Sequence, residues 1–147
     1  MLCCLDDSDG ARRALPVACL LATRLDLELV LVHVEPSTEA PGVSAAPAGQ
    51  QRLREAELLD GESLLARLAR EADLDPGMRS RVAIGDAAER IIAICEDEAA
   101  SFVVLGSRGR GGVASGLLGS VSSQVAAKAS CPCVIVPPSA AQLASPA

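Results

Sequence analysis

The stretch Leu105-Gly-Ser-Arg-Gly-Arg-Gly-Gly-Val-Ala-Ser-Gly-Leu-Leu-Gly-Ser-Val121 decides how this chain is read. Ahead of it stands a short apolar run, Phe102-Val103-Val104-Leu105, and behind it a helix-like segment runs from Ser120 to Ala129. The glycines therefore fall between a buried strand and the start of a helix. Backbone N–H groups and the positive end of a helix dipole converge on one point there, which suits an anion. Glycine lets the main chain come close to a phosphate. The loop is not a Walker loop, because no lysine precedes a serine or threonine in it. Ser120 is the expected N-cap of the helix.

Working outward, apolar runs alternate with helical patterns. Met1 to Leu5 reads as a first strand, followed by Asp6-Asp7-Ser8-Asp9-Gly10 and a helix with Leu15, Ala18, Cys19, Ala22 and Leu25 on one face. Pro16 is placed in the first turns of that helix, where proline is tolerated. Leu27 to Val34 is apolar without alternation, as a strand buried on both faces should be. Residues 36–49 are rich in Pro, Ala, Ser and Gly and read as a long loop, a lid or an insertion. Gln51 to Ala72 reads as a charged helix with a stripe of Leu53, Ala56, Leu65, Leu68 and Ala72. Met78 to Ile84 alternates arginine with apolar residues, which fits an edge strand. Asp86 and Glu89 form a capping-box pair, and Ile91, Ile92, Cys95 and Ala99 are the expected buried face of the next helix. Cys131 to Val136 is the last strand, stopped by Pro137-Pro138.

The order β-α-β-α-β-α-β-α-β calls for an open parallel sheet with helices on both faces, an α/β fold. Ligands of such sheets sit beyond the strand C-termini, where the strand order reverses. If the first and fourth strands are neighbours, Asp6 and Gly106 face each other across that crevice.

Composition narrows the possibilities. The chain has 147 residues, enough for one domain with a core; residues 1–138 are read as that domain and 139–147 as a disordered tail. The net charge is −6, which disfavours nucleic acid as a partner. Phe102 is the single aromatic residue, so no base can be held by aromatic stacking. No run approaches the ~20 apolar residues of a membrane span, and no secretory signal is seen. Six cysteines sit inside apolar runs, in no disulfide framework or zinc pattern, and read as reduced, buried thiols of a cytoplasmic protein. Cys131 and Cys133 fall on the same side of a strand and read as packing. His33, the only histidine, reads as a packed strand-end residue.

Gly106, two residues, Gly109, nine residues, then Gly119-Ser120 matches the G-x2-G-x9-G-[ST] signature of universal stress proteins. Leu5-Asp6-Asp7-Ser8, Leu31-Val32-His33-Val34, Ile84-Gly85-Asp86 and Cys131-Pro132-Cys133-Val134-Ile135-Val136 resemble other landmarks of that family, in order, over nearly the whole chain. The resemblance implies a five-stranded Rossmann-like sheet of order 3-2-1-4-5 and ATP, with Mg2+, at the ends of the first and fourth strands. It implies that Asp6 contacts the ribose and that the Val34 backbone contacts adenine. It further implies that Gly106, Arg108 and Gly109 wrap the ribose and first phosphates, and that Gly119, Ser120, Val121 and Ser122 hold the outer phosphates. Asp7 departs from the family's glycine and brings a further negative charge towards the phosphates. Ser101 stands where the family often has aspartate.

Val134-Ile135-Val136 is an apolar edge in search of a partner, and the resemblance implies a homodimer through it. The implied role is a stress-response regulatory module in which nucleotide alters the loop from Arg110 to Leu118. Two alternatives stand beside it. One is slow ATP hydrolysis or autophosphorylation at Ser120 or Ser122, for which no activated base presents itself. The other is a nucleotide-free dimeric interaction module. No catalytic residue and no metal-ligating residue is assigned.

Overall fold

A computed structural model of the chain describes residues 1–38, 47–109 and 118–140. The elements run β1 (Leu2–Cys4), α1 (Asp9–Leu25), β2 (Val30–Glu35), α2 (Pro47–Glu71), β3 (Ser80–Ile84), α3 (Ala87–Asp97), β4 (Val103–Gly106), α4 (Ser120–Lys128) and β5 (Cys133–Val136). The strands make one five-stranded sheet in the order β3-β2-β1-β4-β5, and every pairing is parallel. This is the α/β architecture and strand order expected from the sequence.

Each continuous apolar run feeds both faces of the sheet. Cys3, Leu5, Leu31, Val104 and Val136 join a core covered by α1 and α2. Leu2, Val30, Val32, Val103 and Leu105 join a second core with Ala88, Ile91, Ile94 and Cys95 of α3 and Val125 of α4. A fully buried leucine or valine contributes about 1.5–3 kcal/mol. The three inner strands β2, β1 and β4 carry the most deeply buried residues of the sheet.

Local chemistry sets the boundaries. The Ser8 hydroxyl caps α1 by accepting from the Ala11 N–H at 3.2 Å, and Asp26 closes it in a left-handed conformation at φ 54°. Pro16 lies in the interior of α1 rather than in its first turns. The missing N–H frees the carbonyl of Arg12, an exposed residue, so water can replace the lost bond. Asp86 Oδ1 accepts from the Glu89 N–H at 2.9 Å and starts α3. At the other end, Ala99 is exposed with φ 45°, outside the helix, and Ala88 and Ile94 complete the buried face that Ala99 was expected to share.

Helix α2 begins at Pro47, so the connection after β2 is shorter than the 36–49 loop read from composition; residues 39–46 lie outside those described. Its apolar stripe also differs from expectation. Leu53 and Ala56 are exposed, and continuous burial begins only at Gly61, continuing through Leu64, Leu65, Leu68 and Ala69. The reason is steric: a Cβ on Gly61 would lie 2.5 Å from Val82 Cγ1 and 3.2 Å from the His33 ring. The bare backbone there allows the helix to close on β2 and β3.

The two sheet edges differ. On β3, Arg81 reaches Glu98 Oε1 at 2.6 Å, while Arg79, just before the strand, reaches Glu98 Oε2 at 2.6 Å and Glu28 at 3.2 Å. Charge thus blunts that edge. Cys133, Val134 and Ile135 of β5 are only half-buried and carry no charge. Beyond β5, the Ala140 N–H donates to the Pro137 carbonyl at 3.1 Å, and Ala140 packs against the core; the rest of the segment read as a tail lies outside the described residues.

Candidate functional site at the ends of the first and fourth strands

The chain leaves β1 towards β2 on one side and leaves β4 towards β5 on the other. The two outgoing segments part at the C-terminal ends of adjacent strands, as at the switch point of an open α/β sheet. A cleft of about 310 Å³ opens there. Asp6, Val34, Gly106, Arg108 and Gly109 all line it, and so do Gly119, Ser120, Val121 and Ser122. The fold brings every sequence-nominated site residue to one place.

The rim is held by main chain. Gly10, at the start of α1, lies directly against the segment leaving β4: a Cβ on Gly106 would sit 2.7–2.9 Å from main-chain atoms of Gly10. The Ser107 carbonyl is a hub that accepts from the Gly119 N–H at 2.7 Å and from the Ser122 hydroxyl at 3.1 Å. These bonds draw the start of α4 back onto the end of β4. Sequence reasoning passed over Gly10 and Ser107, since neither carries chemistry of its own. The small residue directly after Asp9 was the only available signal for Gly10.

Asp6 is oriented by its neighbour. Its Oδ1 accepts from the Ser8 N–H at 3.1 Å and, at short range, from the Ser8 hydroxyl. Its Oδ2 lies towards Gly109, where an added Cβ would come within 2.8 Å. One carboxylate oxygen is thus committed to the loop, and the other faces the cleft.

The N-terminus of α4 is the anion-binding end. Gly119 occupies the cap position and supplies no side-chain cap, while Ser120 is the first helical residue rather than the cap. A glycine fits there because the cap packs tightly, 3.2 Å from the Ser107 carbonyl at its Cβ position. The first N–H groups of a helix have no intrahelical partner, and no serine oxygen competes for them at the cap. The Ser122 hydroxyl is buried and turned to the Ser107 and Gly119 carbonyls, so its proton is already used within the fold. Arg108 lines the cleft, and its Nε is buried without a hydrogen-bond partner.

Aliphatic side chains make the walls. Val32, Val34, Ala87, Ile91, Leu105 and Leu118 line the cleft and provide an apolar slot. Ala87 and Ile91 are not evident from the strand ends, because α3 reaches the site only through the tertiary fold. His33 is buried, as expected of a packed strand-end residue. Its Nδ1 lies 2.7 Å from the Leu5 carbonyl and its Nε2 3.0 Å from Glu35 Oε1. A carbonyl only accepts, so Nδ1 is the donor in the contact with Leu5. The ring thereby fixes Leu5, one residue before Asp6.

Asp7 does not line the cleft. Its carboxylate meets Arg12 at 3.0 Å and Arg67 at 3.2 Å, and both arginines also reach Glu71, at 3.4 and 3.3 Å. Its charge is therefore matched inside a surface quartet rather than set against the anion site. Hydrogen bonds from Arg12 and then Arg67 hold the Asp7 carboxyl below the usual carboxylate range. A depressed folded value means that this stabilisation is full above the unfolded value of about 3.9 and fades as pH falls through the folded one. Asp7→Asn is accordingly expected to lower the thermal midpoint at neutral pH, with the gap to the parent closing below about pH 4. A gap that persists at acid pH would show that the quartet is not its source.

The family model for universal stress proteins matches residues 1–137. The chain belongs to the universal stress protein family. It is 30% identical over 144 residues to the universal stress protein YxiE of Bacillus subtilis, covering 92% of this chain and 97% of that protein. It is 35% identical over 139 residues to a universal stress protein of Thermus aquaticus, covering 92% and 96%. Among solved structures, hypothetical protein MJ0577 superposes with a TM-score of 0.75 at 24% identity, covering 95% of this chain and 96% of that one. A universal stress protein in complex with cAMP gives 0.59 at 21%, covering 92% and 94%. One from Archaeoglobus fulgidus in complex with dAMP gives 0.53 at 20%, covering 92% and 94%. These likenesses show that the universal stress protein fold is shared. No helix among the described residues is long and apolar enough to cross a membrane.

Proposed function

We propose that this chain binds an adenine nucleotide in the cleft between β1 and β4 and serves as a stress-response regulatory module. The observation that carries this reading is the convergence of Asp6, the glycines of the β4–α4 segment and the uncapped N-terminus of α4 on one cleft with apolar walls. An adenine ring fits between aliphatic side chains, a ribose hydroxyl suits the open oxygen of Asp6, and phosphates suit the free N–H groups of α4. Relatives of the same fold in complex with cAMP and dAMP lend support.

ATP is the form best matched to the run of backbone N–H donors from Ser120 to Ser122, the Gly119 N–H being given to the Ser107 carbonyl. Among the described residues no group of three or more His, Cys, Asp or Glu is placed to hold a metal, so Mg2+ would enter with the phosphates, which suits its reluctance to shed water. Binding is favoured over hydrolysis because the open oxygen of Asp6 is assigned to the ribose and both ring nitrogens of His33 are engaged, by Leu5 and Glu35. The apolar edge strand β5, half-buried at Val134 and Ile135 and buried at Val136, suits a two-fold homodimer. The nucleotide-responsive loop expected from Arg110 to Leu118 lies almost wholly outside the described residues.

The test is direct. Freshly purified protein is denatured and the supernatant analysed for nucleotides, followed by calorimetry with Mg-ATP, AMP and cAMP. Stoichiometric adenine nucleotide, or saturable binding, is the expected result. An empty supernatant and flat titrations at millimolar ligand would replace this reading with the nucleotide-free interaction module.

A further inference from the structure

The segment leaving β4 separates two cavities. One is the cleft described above. The other, of about 470 Å³, opens between the start of α1 and the ends of β4 and β5. Arg108 and Gly109 line both, whereas Arg13 lines the second and not the first. Arg13 stands one turn beyond Gly10 on α1, so it shares the face that Gly10 presses against the Arg108 main chain. The Nε atoms of Arg13 and Arg108 are both buried without a hydrogen-bond partner. No ion pair among the described residues involves either guanidinium. Two cations with unused buried donors on one cavity wall call for an anion. The helix start adds to them. Ser8 takes the Ala11 N–H with its hydroxyl and the Arg12 N–H with its carbonyl, which leaves the Asp9 and Gly10 N–H groups without a partner inside the helix. Both residues line the cavity, at the positive end of a 17-residue helix. Two carboxylates share the wall. Asp7 is matched by Arg12 and Arg67, and Asp9 is exposed, where water and salt screen it.

We propose that this second cavity binds a small phosphate monoester, with its phosphate held between Arg13, Arg108 and the first turn of α1. A guanidinium presents paired N–H donors that fit a phosphate bidentately, and backbone N–H groups at a helix start take further oxygens. Two guanidinium groups and two main-chain N–H groups offer more donors than the two oxygens of a carboxylate accept, and they suit the three terminal oxygens of a phosphate. Val136 and Pro138 complete the wall and give apolar contact to the carbon skeleton of the ester. The site does not rest on nucleotide binding, because Ser120, Val121 and Ser122 line the first cavity and not this one.

Propyl phosphate is the probe, and the amide and arginine Nε–H resonances of isotope-labelled protein are followed as it is added. Saturable shifts are expected at the Asp9 and Gly10 amides and at the Nε–H of Arg13 and Arg108. Arg13→Gln should weaken binding about 10–100-fold, as loss of a charge-assisted hydrogen bond requires. Asp9→Asn should strengthen it, and the gain should shrink as salt is added. Inorganic phosphate should move the same resonances with lower affinity, since it has no carbon skeleton to set against Val136 and Pro138. Sodium chloride and sodium acetate at equal ionic strength should produce no saturable shift. Shifts confined to the amides of Ser120, Val121 and Ser122 would place the phosphate in the nucleotide cleft and overturn the proposal. Shifts that never saturate, or that acetate reproduces with equal affinity, would overturn it too, and inorganic phosphate binding more tightly than the ester would overturn the assignment to a monoester. Titration of the parent protein alone separates these outcomes, so the conclusion does not depend on any variant folding.

Discussion

Gly10→Ala is expected to destabilise the protein by about 3 kcal/mol or more, the upper end of what overpacking costs. The added Cβ would sit 2.1 Å from the Arg108 carbonyl oxygen and 3.3 Å from its carbon. Both are main-chain atoms, so no side-chain rotation relieves the clash. Either the start of α1 or the end of β4 must move, and each is anchored: α1 by the Ser8 cap, and the β4 exit by the Ser107 N–H bonded to the Val136 carbonyl at 2.9 Å. Urea unfolding followed by far-ultraviolet circular dichroism measures the change. Gly49→Ala is the matched control, because nothing lies within 4 Å of its Cβ position and it stands in α2. Helix propensity predicts that this variant gains up to about 1 kcal/mol. Parent-like stability of Gly10→Ala would show that the two segments are not in rigid contact.

Asp6→Asn is expected to weaken ATP about 10–100-fold, as loss of a charge-assisted hydrogen bond of about 1.5–3 kcal/mol requires. The amide oxygen can still accept from Ser8 and keep the loop in place, so the change falls on the oxygen that faces Gly109 and the cleft. Calorimetry with ATP and with 2′,3′-dideoxy-ATP separates the two roles of the carboxylate. If Asp6 accepts from the ribose, the variant loses affinity for ATP and barely changes for the dideoxy analogue. Equal losses for both would assign Asp6 to shaping the loop rather than touching the sugar.

The fold was legible because burial on both faces leaves a plain mark. Runs such as Leu29 to Val34 and Phe102 to Leu105 cannot be half-exposed strands, and the arginines alternating before Ile84 announced an edge. The clustering of the site residues followed from strand ends, a topological property that sequence order carries well. What the sequence hid was contact between distant segments. Gly10 matters because of Arg108, and Gly61 because of Val82; neither neighbour is visible locally. The same holds for charge. Asp7 next to Asp6 resembled an added repulsion at the anion site, but partners from α1 and α2 claim it. At α4, hydroxyl propensity pointed to Ser120 as the cap, and close packing on Ser107 put Gly119 there instead.

The aliphatic walls of the cleft have an optical consequence. The chain contains no tryptophan, no tyrosine and a single phenylalanine, so the apoprotein is nearly transparent in the near ultraviolet. A purine held between Val32, Ile91 and Leu105 would supply almost all the absorption of the complex in that range. Occupancy could then be followed in a cuvette without a label, with the molecule acting as its own blank.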